Sequence, residues 1–164
     1  MSIDQMNRSE LLEALNMAGR RLSTSTVLFH SAVADQFGLN ATDWKCAELL
    51  TQSGPITAGE LAELSGLTTG AITGVVDRLE EAGMVQRQRD VHDRRRVIIQ
   101  YNMDQALESR VGQVLEGLTQ GVAKVAAKYS DGELALILEY LSDSTEMLQE
   151  EAVRLRQKTA ETVS

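Results

Sequence analysis

The sequence of 164 residues contains one cysteine, one proline and two histidines, and only 4% of its residues are aromatic. A single cysteine excludes a disulfide framework and any CxxC metal or redox motif, and two histidines with one cysteine cannot by themselves form a closed zinc site. We therefore expect no metal and no cofactor. No apolar run approaches the roughly 18 residues that a membrane span needs, and the first residues do not resemble a signal peptide. These absences predict a soluble, cytoplasmic protein without a membrane partner.

Hydrophobic residues account for 43% of the chain and charged residues for 24%, a composition typical of a folded globular protein. The length suggests one domain, or one core with a small appended unit. Because aromatic residues are few, the core must be built from aliphatic side chains. The scarcity of proline and the long intervals between turn signals favour helices over a fold of many strands. The predicted fold class is mainly α.

The net charge of −8 argues at first against a nucleic-acid partner, but the charges are unevenly distributed. Residues 84–101 contain five arginines and two aspartates, a local charge of +3 that leaves −11 for the remainder. A concentrated basic segment on an acidic protein is expected where a small surface meets phosphate and the rest of the surface avoids it. A solvated charged turn is the alternative interpretation of this segment.

Two helices are predicted in the first third of the chain. Apolar residues recur at alternating intervals of three and four from about Ser9 to Phe37, which indicates an amphipathic helix, and Gly38 follows as a C-terminal cap. The sequence Asn40-Ala-Thr-Asp43 is typical of a capping box and opens a second, shorter helix. Ser53-Gly54-Pro55 closes that helix.

The next segment has the pattern of a helix-turn-helix. Residues 57–60 form a second capping box that opens a short helix, and Gly66 ends it. Thr68 or Thr69 caps the following helix, which ends at Gly83 and has one apolar face. That face consists of Ile72, Val75, Val76 and Leu79. Two short helices joined by a tight turn are typical of a helix-turn-helix, although any helical hairpin has a similar pattern.

Two short strands are predicted directly after this helix. They run from Met84 to Arg89 and from Arg96 to Tyr101, and the second contains a run of β-branched residues. The polar residues between them form the tip of a hairpin. A two-stranded ribbon directly after a helix-turn-helix is a wing. The sequence therefore predicts a small β-wing and a winged helix-turn-helix DNA-binding domain over residues 38–102.

Residues 103–164 return to a helical pattern. An apolar stripe begins at Leu107, Ser130-Asp-Gly-Glu133 is a third capping box, and a near-heptad repeat of apolar residues follows over 134–155. Long amphipathic helices that flank a small winged unit cannot easily bury their apolar faces within one chain, so we expect a homodimer. Residues 1–37 and 103–164 are thus predicted as the N-terminal and C-terminal dimerisation helices.

Several segments carry the motifs of one known family. The sharpest is Val76-Asp-Arg-Leu-Glu-Glu-Ala-Gly83 followed by Asp90-Val-His-Asp-Arg-Arg95. The other matching segments are residues 40–44, 54–57, 60–66 and 68–73. Together they resemble the MarR family of winged-helix transcriptional regulators over nearly the whole chain, except that the family's Leu-Thr after the wing is replaced here by Tyr101-Asn102. The resemblance implies a homodimer that binds a pseudopalindromic operator in double-stranded DNA and, in many members, releases it when a small molecule binds.

By this resemblance, the helix that begins at Thr68 is the recognition helix. The residues that its apolar face leaves directed outward are Thr69, Gly70, Thr73, Gly74 and Asp77. Threonine hydroxyl and methyl groups on that side can contact base edges. Gly70 and Gly74 each cost about 1 kcal/mol relative to alanine within a helix, and a close approach of the backbone to DNA would explain both. Helix capping by one of the first two threonines, a neutral surface role for Thr73 and simple tolerance of the glycines are the alternatives.

The resemblance also assigns the wing tip to DNA. Arg94, Arg95 and Arg96 are candidate contacts, and the second arginine of Asp-Arg-Arg enters the minor groove, where narrow A·T segments concentrate negative potential. Asp90 and Asp93 would orient these guanidinium groups by bidentate pairing.

Arg78 lies in the Val-Asp-Arg-Leu segment of the recognition helix. It is a candidate for a contact with a DNA phosphate or for a brace that supports the wing. An intrachain ion pair with a nearby Glu or Asp is the alternative interpretation.

His30, Trp44 and Cys46 are candidates for a regulatory site. His30 and Trp44 can line an effector cavity where the first helix meets the winged unit, although a histidine in the core or on the helix surface is the alternative. The resemblance implies a small, partly apolar effector that is aromatic or anionic. Cys46 lies on a mostly buried helix, where a lone cysteine usually acts as a small apolar residue. Redox sensing through Cys46 is the alternative.

These observations predict a homodimeric DNA-binding regulator, a repressor that a small molecule relieves. No enzyme is predicted, because the sequence contains no nucleophile–base motif, no phosphate-binding glycine loop and no paired metal ligands. The alternative from another class is an acidic helical module that uses the winged unit to bind protein. Salt-dependent binding to duplex DNA distinguishes the two.

Overall fold

The computed structural model describes residues 5–90, 93 and 96–163, with the side chains among them as far as residue 158. Within these residues the elements are α1 (Arg8–Asp35), α2 (Ala41–Ser53), β1 (Ile56–Thr57), α3 (Ala58–Ser65), α4 (Thr69–Glu81), β2 (Val85–Arg89), β3 (Val97–Tyr101), α5 (Gln105–Ala126) and α6 (Asp131–Val163). The predicted fold class, mainly α with a small β-wing after a helix-turn-helix, is confirmed.

Local sequence signals set the helix boundaries. The capping boxes predicted at residues 40–43, 57–60 and 130–133 are all formed. In each, the first side chain accepts a backbone N–H from the fourth residue, whose carboxylate accepts a backbone N–H in return. Gly66 ends α3 in the left-handed region at φ 72°, a conformation that residues with a Cβ rarely adopt. The turn between α3 and α4 is therefore short, as the helix-turn-helix pattern requires.

The sheet has three antiparallel strands in the order β1-β3-β2. The pair β2 and β3 is the predicted hairpin, with Val85 opposite Tyr101 and Arg89 opposite Val97. The strand β1 was not predicted. Its two residues pair with residues 98–99 of β3. This pairing joins the base of the wing to the segment that opens α3, so the wing is fixed to the helix-turn-helix by backbone hydrogen bonds.

The hydrophobic core lies within residues 1–115 and is almost entirely aliphatic, as the shortage of aromatic residues predicts. The predicted apolar face of α4 is buried. Ile72, Val76 and Leu79 are fully covered, and Val75 is nearly so. Burial of each such side chain contributes roughly 1.5–3 kcal/mol to folding. The core thus holds α4 firmly and leaves its opposite face in solvent.

The chain divides into two compact units, residues 1–115 and residues 116–164. In the second unit, no side chain that the structure describes is buried, although both helices there carry apolar residues. Leu118 is 46% exposed and Leu138 is 67% exposed. No helix within the described residues is both long and apolar enough to span a bilayer. The predicted division of the chain into dimerisation and DNA-binding parts stays a prediction.

Candidate nucleic-acid interface

The solvent-facing side of α4 presents the residues predicted to face DNA. Thr69, Gly70 and Thr73 are all exposed. Thr68 is the capping residue of the two candidates, since its hydroxyl accepts the backbone N–H of Ala71 at 3.2 Å. The hydroxyl of Thr73 donates to the carbonyl oxygen of Thr69 at 3.2 Å, so its oxygen can still accept a hydrogen bond, and its methyl group belongs to an exposed side chain. These are the groups that a base edge or a thymine methyl can contact.

The two glycines of α4 leave bare backbone on this surface. A Cβ added at Gly70 would meet no atom of the protein within 4 Å, so nothing inside the fold requires glycine there. A Cβ added at Gly74 would lie 3.4 Å from Nη1 of Arg78, a close contact with a side-chain end. The fold therefore explains part of the choice of glycine at position 74 and none of it at position 70.

Arg78 makes a two-pronged ion pair with Asp43 on α2. Its Nε donates to one carboxylate oxygen at 2.9 Å, and its Nη2 donates to the other at 2.7 Å. Asp43 is fully buried, whereas 46% of the Arg78 side chain is exposed. The hydrogen bonds with Asp43 raise the pKa of Arg78 above its ordinary value. The intrachain ion pair is thus present, with almost half of the Arg78 side chain still exposed, and a contact of Arg78 with phosphate stays a prediction.

Arg87 on β2 ties the wing to α4. Its guanidinium donates to Asp77 at 2.7 Å and to the backbone oxygen of Thr73 at 3.3 Å, and it also pairs with Glu80. The carboxylate of Glu80 accepts the backbone N–H of Arg87 at 2.7 Å as well. One side chain therefore holds the strand against the outward-facing part of the helix. This role was not predicted for Arg87.

Hydrogen bonds join the described residues of the wing tip, Asp90, Asp93 and Arg96. Asp90 donates its backbone N–H to the carbonyl oxygen of Arg96 at 3.0 Å, and its carboxylate accepts the backbone N–H of Asp93 at 3.2 Å. Arg96 also pairs with Glu60 of α3 at 3.3 Å, so the wing contacts a second helix of the helix-turn-helix. Arg94 and Arg95 lie outside the described residues. The proposed orientation of their guanidinium groups by Asp90 and Asp93 stays a prediction.

His30 and Trp44, the candidates for an effector pocket, line one cavity of about 430 Å³. One wall is polar, because Glu48 accepts a hydrogen bond from Trp44 Nε1 at 3.1 Å, pairs with Lys45 at 2.6 Å and lies 3.5 Å from His30 Nε2. Much of the remaining lining is apolar. It includes Met84, Met103, Val111 and Leu115, with Tyr101 beside them. Such a cavity suits a small, partly apolar molecule.

Cys46 is 1% exposed and belongs to the core. Burial raises the pKa of its thiol, and the nearby charge of Asp43 raises it further. A reactive cysteine needs access and a lowered pKa, so the structure favours the apolar interpretation over redox sensing. Within the described residues, no group of His, Cys, Asp and Glu side chains could hold a metal ion.

Comparison with known proteins identifies the family. A family model described as MarR family matches residues 39–97, which contain α2, the helix-turn-helix and β2. Over 151 residues the chain is 40% identical to an uncharacterized HTH-type transcriptional regulator, YcgE of Bacillus subtilis (strain 168), and this alignment covers 92% of the chain and 97% of that protein. The chain belongs to the MarR family.

Two further comparisons agree with this assignment. The chain is 33% identical to the HTH-type transcriptional repressor YetL of Bacillus subtilis over 89 residues, which are 54% of this chain and 52% of that protein. The structure of a MarR family protein from Bacillus stearothermophilus has the same fold, with a TM-score of 0.66 over 87% of this chain and 98% of the other, at 24% identity. This MarR family member is therefore a DNA-binding transcriptional regulator, with α3 and α4 as its helix-turn-helix and β2–β3 as its wing.

Proposed function

We propose that this regulator is a homodimeric repressor that binds a pseudopalindromic operator and releases it when a small molecule binds. The observation that carries the DNA-binding part is the outer face of α4. Thr69, Gly70 and Thr73 lie there together, the opposite face is locked in the core, and Arg87 fixes the basic wing beside them. Phosphate contacts would come from Arg94, Arg95, Arg96 and the exposed part of Arg78. The name of YetL, a repressor, supports the direction of regulation.

Exposed apolar faces on three helices support the homodimer. α1, α5 and α6 carry large apolar side chains that are about half exposed in the single chain, including Leu15, Leu22, Val122, Leu141 and Leu148. Large apolar side chains exposed in such number on single helices are expected where each helix meets another protein surface. A second copy of the chain would also present a second recognition helix. We expect two half-sites related by two-fold symmetry, with centres about one DNA turn, or ~34–36 Å, apart.

Selection of genomic fragments by the purified full chain tests this function. Fragments of duplex DNA are bound at moderate salt, recovered and sequenced, and the tightest site is footprinted. Enrichment of a two-fold symmetric site supports the proposal. An asymmetric footprint of one half-site contradicts the dimeric mode. Failure to enrich any duplex, with salt-insensitive capture of a protein partner instead, favours the protein-interaction module.

Replacement of Thr73 by alanine should relax base preference, whereas replacement of Arg95 should weaken binding more evenly. Loss of a base-edge contact by Thr73→Ala is expected to cost on the order of 1–3 kcal/mol at particular base pairs. Arg95→Ala should weaken all sites, and most of all those with A·T-rich flanks, where groove shape is read. If Arg95 also contacts phosphate, the log–log salt slope should fall by about 0.9 per lost contact. Binding of each variant to a panel of single-base operator variants measures both effects.

Both variants should remain folded and dimeric, because Thr73 is exposed and position 95 is on no predicted apolar face. Arg154→Ala is a matched control for loss of one positive charge, since Arg154 pairs only with Glu151 among the described residues of α6. Parental affinity of Arg95→Ala at several salt concentrations would contradict a role for the wing tip.

The cavity beside Trp44 should respond to small aromatic or anionic molecules. A screen of phenolic acids and metabolites by melting temperature should find compounds that stabilise the chain and weaken operator binding, since a ligand shifts a conformational equilibrium only by its differential affinity for the two states. Thr51→Trp would fill the cavity mouth from α2 and should abolish the response. Ser53→Trp, two residues further along and outside the cavity lining, is the control. An unchanged response in Thr51→Trp would place the effector elsewhere, and no response to any compound would remove the effector from the proposal.

A further inference from the structure

Asp43 is a fully buried carboxylate beneath the DNA-facing helix. It lies at the start of α2, 35 residues before Arg78, and it closes the capping box with Asn40. One of its oxygens accepts the backbone N–H of Asn40 at 3.2 Å as well as Nε of Arg78, and the other accepts Nη2 of Arg78. Among the described residues, the hydrogen bonds of this carboxylate thus come from the capping residue of α2 and from a single arginine on α4. The buried, negatively charged carboxylate of Asp43 is therefore paired with one cation, the guanidinium of Arg78.

The pair leaves part of the arginine available to a ligand. A guanidinium has five N–H donors, and Asp43 engages one on Nε and one on Nη2. Nη1 makes no hydrogen bond with any residue that the structure describes, and it lies beside Gly74. Gly70, Gly74 and Arg78 are spaced four residues apart, so they share one side of α4. This side of α4 therefore has backbone without side chains at the two glycines, followed by the positively charged Arg78, whose side chain is about half exposed.

We propose that Asp43 is a positioning residue for operator binding: it fixes Arg78 so that Nη1 meets a DNA phosphate that runs along the Gly70–Gly74 side of α4. This inference rests on the proposed binding of an operator by α4. An arginine side chain free in solvent would lose its rotational freedom on contact with phosphate, whereas a guanidinium held by a two-pronged pair has already lost it. Asp43 itself, which is shielded from solvent, would not touch DNA.

A purely structural role is the competing explanation. The pair also links α2 to α4, so its loss would destabilise the fold whether or not Arg78 contacts DNA. Stability and operator binding must therefore be measured separately on the full chain. The probe is the tightest duplex recovered by the parent protein in the genomic selection. If the parent protein recovers no duplex, the proposed function fails. If the parent binds a duplex and the variants below bind it equally well, only the present inference fails.

Asp43→Asn keeps the shape of the side chain but removes its negative charge and one of the two oxygen acceptors of the two-pronged pair with Arg78. We expect about tenfold weaker operator binding, because a charge-oriented contact is lost, and a salt slope smaller by about 0.9 per lost phosphate contact. Leu49→Ala is the matched control: it weakens the packing of the same helix, and Leu49 takes no part in the hydrogen bonds or the ion pair of Arg78. It should lower the melting temperature and leave operator affinity and salt slope at the parental values. A smaller slope in Asp43→Asn alone is not expected from a general loss of stability.

Arg78→Lys supplies a second test that does not depend on the folding of the Asp43 variant. Lysine keeps the positive charge but cannot form the two-pronged pair with Asp43, so operator binding should fall about as far as in Asp43→Asn. The double variant Asp43→Asn/Arg78→Lys should bind no more weakly than Arg78→Lys alone, since both changes remove one positioned contact. Parental affinity and salt slope in Arg78→Lys, or strictly additive losses in the double variant, would overturn the proposal.

Discussion

Glutamate at both Leu141 and Leu148 should abolish operator binding and leave the chain monomeric or unfolded. The two leucines are seven residues apart on α6, and 47% and 63% of their surfaces are exposed in the single chain. If these side chains are covered by a second copy, each substitution buries a carboxylate without a partner, which costs several kcal/mol. A monomer would present one recognition helix instead of two, so it would lose the second half-site. Sedimentation velocity, circular dichroism and operator titration of the full chain measure the three consequences.

The control places the same charges on a neighbouring face of the helix. Ser142→Glu/Gln149→Glu keeps the seven-residue spacing at exposed polar positions, and it should remain dimeric and bind DNA. If the leucine double variant sediments as a folded dimer and binds the operator like the parent, α6 is not part of the dimer interface. The exposed apolar side chains of α1 and α5 would then need to form the interface alone.

The fold of this chain could be predicted in detail from local signals. Three capping boxes and Gly66 set helix boundaries through contacts that span at most four residues, so the sequence pattern contains all the groups involved. The buried face of α4 was likewise predicted, because the spacing of Ile72, Val76 and Leu79 determines which side of a helix they share. These features are the ones that the structure confirms residue by residue.

The features that sequence reasoning missed depend on long-range pairing. The strand β1 has two residues and no alternating pattern, and it exists because β3 offers it backbone partners. An ion pair for Arg78 was left open, but its partner Asp43 is 35 residues away and had been assigned only to a capping box. Arg87 was counted as part of a basic segment, although Asp77 and Glu80 engage it. The local charge of +3 therefore overstates what the wing offers to phosphate.

Arg78→Met should lower the free energy of unfolding by about 3 kcal/mol, among the largest stability effects expected for one substitution outside the core. It removes the cation and leaves the buried Asp43 carboxylate without a countercharge, with the backbone N–H of Asn40 as its remaining hydrogen-bond donor among the described residues. Loss of one partner of a buried pair typically costs 3–5 kcal/mol, and we expect the lower end because almost half of the Arg78 side chain is exposed to water. For a chain of this size the melting temperature should fall by roughly 6–12 °C. Denaturant unfolding at a fixed protein concentration measures the change.

The double variant Asp43→Leu/Arg78→Met separates stability from DNA binding. Replacement of both charges by apolar side chains removes the unpaired carboxylate, so most of the lost stability should return. About 1 kcal/mol should stay lost, because the backbone N–H of Asn40 loses its acceptor in the capping box of α2. Operator affinity should not return, because Arg78 is absent whatever the stability of the fold. If Arg78→Met has the same free energy of unfolding as the parent, water must reach Asp43 in the variant, and the predicted loss of stability is wrong. A double variant that regains both stability and operator affinity would show that the pair serves the fold and not the operator.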